Sequence, residues 1–490
     1  MGLVAVIQEL GLKIPMPAVR SSVSSGARRT RVESEIVYEH YPRSYGTDSL
    51  FENLKFAMRY EPIDLGVLKV AFAKLDAEEI EGWIQSEITG IYARRLWYLF
   101  ELLTGKVLNL PDVAPTGYID LLNEKLQLTG KPVRIKRQRI NDNLLGNKDY
   151  CPMVRMTDAL KDSIAEGLAN QAREIVVESD PLILARAINF LYTSETRSSF
   201  AIEGERPSAS RAERFVAALE HAAEFDASDK GSFIELQNQI VDQRFTATDW
   251  RTIQNYVGQT MRDYSEYVHF VCPKPENVPQ LMEGWVNCVR RLQDSPVDPV
   301  ASAAVLAFGF VFIHPFEDGN GRIHRFLIHH ELARTGFAPS NLIFPVSAVM
   351  LRERGEYDRV LAAYSKSIMP FIDFSLDDRG TLTVENETAD LYRYWDATRF
   401  AEYLYGCVAE TIRRDLRDEI GFLSIFDRAL TQVLNIVDMP DRRASLLVKL
   451  IMQNRGTLSK TKREKEFPEL TDDEIKAIET EMSEIMESGG

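Results

Sequence analysis

Residues 298 to 336 read DPVASAAVLAFGFVFIHPFEDGNGRIHRFLIHHELARTG. Asp298-Pro299 opens a helix as N-cap and first-turn proline. From Val300 to Ile313 the helix is apolar on every face, so it belongs in the middle of a domain. Crossing a bilayer would take about 20 such residues. The segment HPFEDGNG cannot continue it: Pro315 breaks the ladder, and Gly319 and Gly321 permit backbone angles that other residues avoid. A second, amphipathic helix starts near Arg322 and stops before Gly336. The loop therefore empties onto a helix N-terminus, where unpaired N–H groups and the helix dipole favour an anion.

The side chains on that loop suit a phosphate-bearing ligand. Arg322 and Arg325 are three apart, share a helix face and can grip successive phosphates. Asp318 supplies a hard oxygen for a Mg²⁺ that bridges phosphates. Asn320 can donate to a phosphoryl oxygen, and Gly319 and Gly321 let a ligand approach the main chain. His314 is the one candidate base whose ordinary pKa lies near neutrality. Phe316 points inward as the anchor of the loop. The sum is phosphoryl or nucleotidyl transfer to a hydroxyl, driven by positioning and charge neutralisation. The chain has no Walker loop and no third glycine to complete a dinucleotide fingerprint; His324, His329 and His330 lack the spacing of a histidine metal site.

At 490 residues the chain has room for two to four domains, and its 45% hydrophobic and 27% charged residues are those of a globular protein. A net charge of −15 argues against nucleic acid or an anionic membrane as the main partner. Cys151, Cys272, Cys288 and Cys407 have no motif spacing, and no signal-peptide order opens the sequence, so a cytoplasmic protein is expected.

Along the chain, the Pro/Ser/Gly/Arg-rich stretch 16–31 predicts a flexible or extended arm within residues 1–35. Residues 36–155 predict a helical domain, with Ile80, Trp83, Ile84 and Ile88 on one helix face and Gly105 as its C-cap. That domain ends in a hairpin or irregular segment with a solvated basic edge, Arg134 to Arg139. Residues 156–375 are mostly helical, with one helix opened by Asp180-Pro181. Residues 385–490 predict a helical region that could form a small winged-helix-like module. Its last helix, opened by a Thr471-x-x-Glu474 capping box, is acidic where a DNA-reading helix is basic. Nucleic acid is thus disfavoured there, though this module is the one place left for it.

His314, Phe316, Asp318, Gly319, Asn320, Gly321, Arg322 and Arg325 fill, without departure, the pattern H-x-F-x-[DE]-G-N-G-R-x-x-R. In this the sequence resembles the Fic (filamentation-induced-by-cAMP) family. The resemblance implies a mainly α fold, an all-helical core with a short β-hairpin flap, flanked here by helical N- and C-terminal regions. It implies transfer of AMP from ATP to a Ser, Thr or Tyr hydroxyl of a protein target. His314 would be the base, Asp318 the Mg²⁺ ligand, and Gly319, Asn320, Gly321, Arg322 and Arg325 the phosphate site; pyrophosphate would leave. SSFAIEG (198–204) is similar to the family's inhibitory pattern [ST]-x-x-x-E-[GN] at Ser199, Glu203 and Gly204, on a helix expected at about 195–204. If Glu203 reaches Arg325, it occupies the cation meant for the γ-phosphate.

QNYVG (254–258) and YVHFVCPKPENVP look like the family's target-docking flap, about 264–276, with Val268, His269, Phe270 and Val271 on it. A homodimer controlling the inhibitory helix is compatible with this reading. The alternatives on the same residues are removal of AMP, transfer of another phosphate-containing group, or a non-enzymatic nucleotide-responsive regulator acting through the C-terminal module.

Overall fold

The computed structural model describes all residues except 34, 263–265, 378 and 489–490. In chain order, α1 (Gly2–Leu10) is followed by β1 (Val19–Ser24), β2 (Arg29–Glu33) and β3 (Ile36–Pro42). Then come α2 (Leu50–Tyr60), α3 (Leu65–Lys74), α4 (Ala77–Ser86), α5 (Ile91–Thr104), β4 (Ile119–Asp120), β5 (Val133–Ile135) and β6 (Ile140–Asp142). The middle of the chain holds α6 (Asp158–Ala165), α7 (Leu168–Glu178), α8 (Pro181–Ile202), α9 (Ala209–Glu220), α10 (Lys230–Ile240), β7 (Tyr256–Thr260) and β8 (Glu266–Val271). It continues with α11 (Val278–Gln293), α12 (Pro299–Ile313), α13 (Asn320–Arg334), α14 (Val346–Arg352) and α15 (Arg354–Ile368). The last part is β9 (Phe374–Leu376), β10 (Leu382–Val384), α16 (Ala389–Arg393), α17 (Thr398–Glu410), α18 (Arg417–Ile436), α19 (Asp441–Gln453), α20 (Lys460–Glu466) and α21 (Asp472–Ser488). The fold is mainly α, with four small sheets among the described residues.

Two units emerge, and they do not follow the four consecutive spans expected from sequence. The first joins residues 1–167, 196–337 and 346–407; the second joins 168–195, 338–345 and 408–490. Within the first unit, α12 is the axis. Asp298 caps it by accepting from the Ala301 N–H at 2.9 Å, and nearly every residue from Val300 to Ile313 is buried. Packed on it, α13 is also buried almost all round, from Asn320 to Leu332, so the amphipathic helix expected there is instead a second core helix. Its buried charged residues are tolerated because Arg322 and Arg325 bond to Asp318, Glu203, Glu205 and Ser199 outside the helix, and Glu331 to Arg334 within it, which periodicity does not reveal.

The N-terminal arm is extended, as strands, and its first helix is docked. Leu3, Val6 and Ile7 are buried in a core shared with α2, α3 and α5, and β1 pairs in parallel with β3, which pairs antiparallel with β2. The polar composition of residues 16–31 hides strands whose backbone partners come from the β-prone run of β3. The long helix expected before Gly105 is broken at Gly90, which starts α5, and Ile88 falls between the two helices rather than on the face of Ile80 and Ile84. Gly105 does end α5, at φ 70°. The basic segment forms the antiparallel pair β5/β6.

The second unit has its own core, built by Ala429, Val433, Leu447, Val448, Ile451, Phe467, Ile478 and Met482. Thr471 and Glu474 form the reciprocal capping box at the start of α21. No strand follows β10 among the described residues, so the module has no wing and is purely helical. No single helix among the described residues is long and apolar enough to cross a membrane.

Candidate functional site

His314 terminates α12 in the left-handed region, at φ 53°, its N–H donating to the Phe310 carbonyl. A non-glycine residue there is strained, and the surrounding bonds hold it. His314 Nδ1 lies 3.1 Å from the Val311 carbonyl oxygen. A carbonyl only accepts, so Nδ1 carries the hydrogen and Nε2 is left as the basic nitrogen. Burial, partly offset by that carbonyl, lowers the imidazole pKa to about 4, so the ring is neutral at pH 7.

The loop after His314 is pinned from three sides. Phe316 is fully buried, its ring centroid 5.0 Å from that of Trp250. Asn320 Oδ1 accepts from the Phe316 N–H (3.0 Å) and Asn320 Nδ2 donates to the Phe316 carbonyl (2.8 Å). Asn320 therefore staples the loop on which it was expected to meet a phosphoryl oxygen. Arg251 donates to the carbonyls of His314 (2.7 Å), Ile253 (2.8 Å) and Pro273 (2.7 Å), and its own N–H donates to the Pro315 carbonyl. It ties the loop after His314 to both roots of the flap. Nothing in the local sequence marks it, because all but one of its partners are distant in the chain.

Gly319 is the N-cap of α13 at φ 94°, and a Cβ there would stand 2.9 Å from Val241 Cγ1. Both the angle and the space require glycine. The first-turn amides of α13 have no partner within the helix and present an anion site. Asp318 beside it is 38% exposed; its Oδ1 accepts from the Gly319 N–H and from Arg322 at 2.6 Å.

Both motif arginines are buried and already hold carboxylates. Arg325 donates through Nε to Ser199 Oγ (2.8 Å), and through Nη2 to the Ser199 carbonyl (2.8 Å) and Glu203 Oε1 (2.7 Å). A Cβ on Gly321 would lie 2.1 Å from Glu203 Oε1, so this carboxylate rests against the first turn of α13. Burial raises the pKa of Glu203, but Arg325, then Arg322 and His314, outweigh it and leave the group below its ordinary value, ionised. Gly204, at φ 73°, closes α8 and lets the chain turn away. Arg322 donates to Asp318, to Glu205 Oε2 (3.2 Å) and to the Ile240 carbonyl (3.3 Å). Glu205 lies outside every motif and was not legible as a site residue.

The flap is the antiparallel pair β7/β8. Its register runs Val257↔Phe270 and then Gly258↔Val268, which leaves His269 as the extra residue of a bulge. Tyr267 and His269 are exposed and in ring contact at 4.8 Å, whereas Phe270 and Val271 are buried. Phe270 packs near Phe312, and the Val271 carbonyl accepts from the Tyr392 hydroxyl at 2.6 Å. Those two residues root the flap rather than contact a target, and positions 264 and 265 of the expected flap lie outside the described residues.

Residues 229–332 match the family model described as Fic/DOC family. This segment is similar to a Fic domain. It contains α10, the flap, α11, α12 and almost all of α13, hence the whole motif. The chain is 32% identical over 125 residues to "Protein adenylyltransferase fic-1" of Caenorhabditis elegans, covering 25% of this chain and 21% of that protein. It is 32% identical over 145 residues to "Protein adenylyltransferase Fic" of Drosophila grimshawi, covering 29% of this chain and 25% of that one. The chain thus spans about a quarter or less of the curated relatives it matches. Among solved structures, a Fic family protein from Desulfovibrio desulfuricans G20 aligns with a TM-score of 0.39 at 20% identity, over 61% of this chain and 88% of that one.

Proposed function

We propose that this protein is a self-inhibited protein adenylyltransferase, which moves AMP from ATP to a Ser, Thr or Tyr hydroxyl of another protein. The observation that carries the reading is the place of Glu203: an ionised carboxylate on Arg325, 2.7 Å away, against the helix end suited to phosphate. His314 Nε2 takes the proton of the target hydroxyl, whose oxygen attacks the α-phosphorus. The bond from that phosphorus to its bridging oxygen breaks, and pyrophosphate leaves with the bond's electron pair. The α13 amides, Arg322 and Arg325 hold the phosphates and neutralise charge as it moves.

Asp318 fits a magnesium ion. It is a part-exposed carboxylate at the anion site, and among the described residues no cluster of three or more metal-ligating side chains competes with it. One carboxylate with phosphate and water as the other ligands suits this ion, which would supply charge neutralisation between phosphates. The exposed backbone of the flap would pair with an extended segment of the target. Glu203 restrains the reaction by keeping a phosphate off Arg325. Four buried free cysteines support a reducing, cytoplasmic setting.

The test is transfer from ATP labelled on the α- or the γ-phosphate, using Glu203→Gly with and without His314→Ala and a cell extract as target source. Label from the α position only, lost with His314→Ala, is the expected outcome. Label from the γ position would make the protein a kinase. No label from either position would overturn the reading.

A further inference from the structure

Glu203 is not the only carboxylate in the phosphate site. Two residues on, Glu205 Oε2 accepts from Arg322 at 3.2 Å and from Arg211 of α9 at 2.8 Å. The guanidiniums of Arg211 and Arg322 both lie over the Phe200 ring, at 5.2 and 5.3 Å, and both donate to the Ile240 carbonyl, at 3.0 and 3.3 Å. One carboxylate thus bridges two stacked cations, one from the motif and one from outside it. The Nε atoms of Arg211 and Arg322 are also buried with no hydrogen-bond partner among the described residues. Two cations with donor capacity to spare around one exchangeable anion form a polyphosphate site with a carboxylate standing in it.

Charge decides how much of the site is closed. Arg211, Arg322 and Arg325 face Glu203, Glu205 and Asp318, so the cluster is neutral as it stands. A magnesium–nucleoside triphosphate complex brings roughly two negative charges. Removing Glu203 alone leaves one surplus positive charge; removing Glu205 as well leaves two, which matches the ligand.

Resting on the adenylyltransferase reading, we propose that Arg211 is a third cation of the triphosphate site and that Glu205 is its removable counter-ion, a second restraint that persists when Glu203 is gone. Binding of ATP then requires the whole segment after α8 to swing clear. Glu203 and Glu205 leave together because Gly204, at φ 73°, is the one residue between them.

The experiment measures direct binding of Mg-ATP by calorimetry, so it does not depend on transfer. Glu203→Gly is compared with Glu203→Gly/Glu205→Gln, and each is repeated with Arg211→Gln and Arg211→Lys; thermal melting checks that all are folded. The expected result is an affinity gain of about tenfold from Glu205→Gln, abolished by Arg211→Gln and largely kept by Arg211→Lys. An unchanged or weakened affinity on Glu205→Gln, or a gain indifferent to Arg211→Gln, would overturn the proposal. If Glu203→Gly binds ATP and transfers AMP while Glu205→Gln adds nothing, this inference fails and the parent reading stands. If no variant binds ATP, both fail.

Discussion

His314 shows how one residue is tuned by its surroundings. Burial holds its imidazole pKa near 4 against an ordinary 6.5, and the Val311 carbonyl fixes the tautomer that leaves Nε2 basic. Because the folded value is the lower one, the unfolded chain takes up the proton first, and stability declines as pH falls from 6.5 towards 4. For activity, the acid limb of the rate profile of Glu203→Gly should lie well below pH 6; a limb at 6.5 would show a solvated imidazole. Gly319→Ala should cost about 1–3 kcal/mol in a urea titration, since it combines φ 94° with a Cβ 2.9 Å from Val241. At this scale the sequence was informative where a residue's chemistry is intrinsic: a base, two cations and two glycines are recognisable as such. It was silent on pairings made across the fold. Arg322 meets Glu205 across 117 positions, and Asn320 turns its amide onto its own loop.

Among the elements, α12 was legible because an apolar surface on all sides has one explanation, burial. Its partner α13 looks in sequence like a helix with a solvated face, because the carboxylates that neutralise Arg322 and Arg325 lie outside it. The flap shows the same division. Its strands follow from a β-prone run ended by prolines, but which residues face outward depends on the bulge at His269. Gly258 lies in β7 where a Cβ would come 2.8 Å from the Tyr267 carbonyl oxygen. Gly258→Val should therefore loosen the flap and lower modification of a protein target, while ATP binding measured by calorimetry stays the same. Loss of ATP binding in that variant would remove the flap from target presentation.

For the molecule as a whole, the chain weaves two compact units, and three separated segments make up each. Composition changes mark contiguous domains, whereas a segment such as 338–345, which belongs to a unit remote from its neighbours in sequence, leaves no such mark. Leu447 is buried in the second core, and Leu447→Ala should cost about 2–5 kcal/mol there. Limited proteolysis should then cut within 408–488 before the first unit is touched; simultaneous cleavage of both would show one cooperative body.

The central claim is that a carboxylate occupies a site built for phosphate. The most direct measurement is the rate of transfer from α-labelled ATP by the intact chain and by Glu203→Gly, side by side at saturating target. Freeing Arg325 from a 2.7 Å ion pair should raise the rate by at least about tenfold, worth about 1.4 kcal/mol. Equal rates would mean that Glu203 restrains nothing and that its bond to Arg325 only holds the fold together.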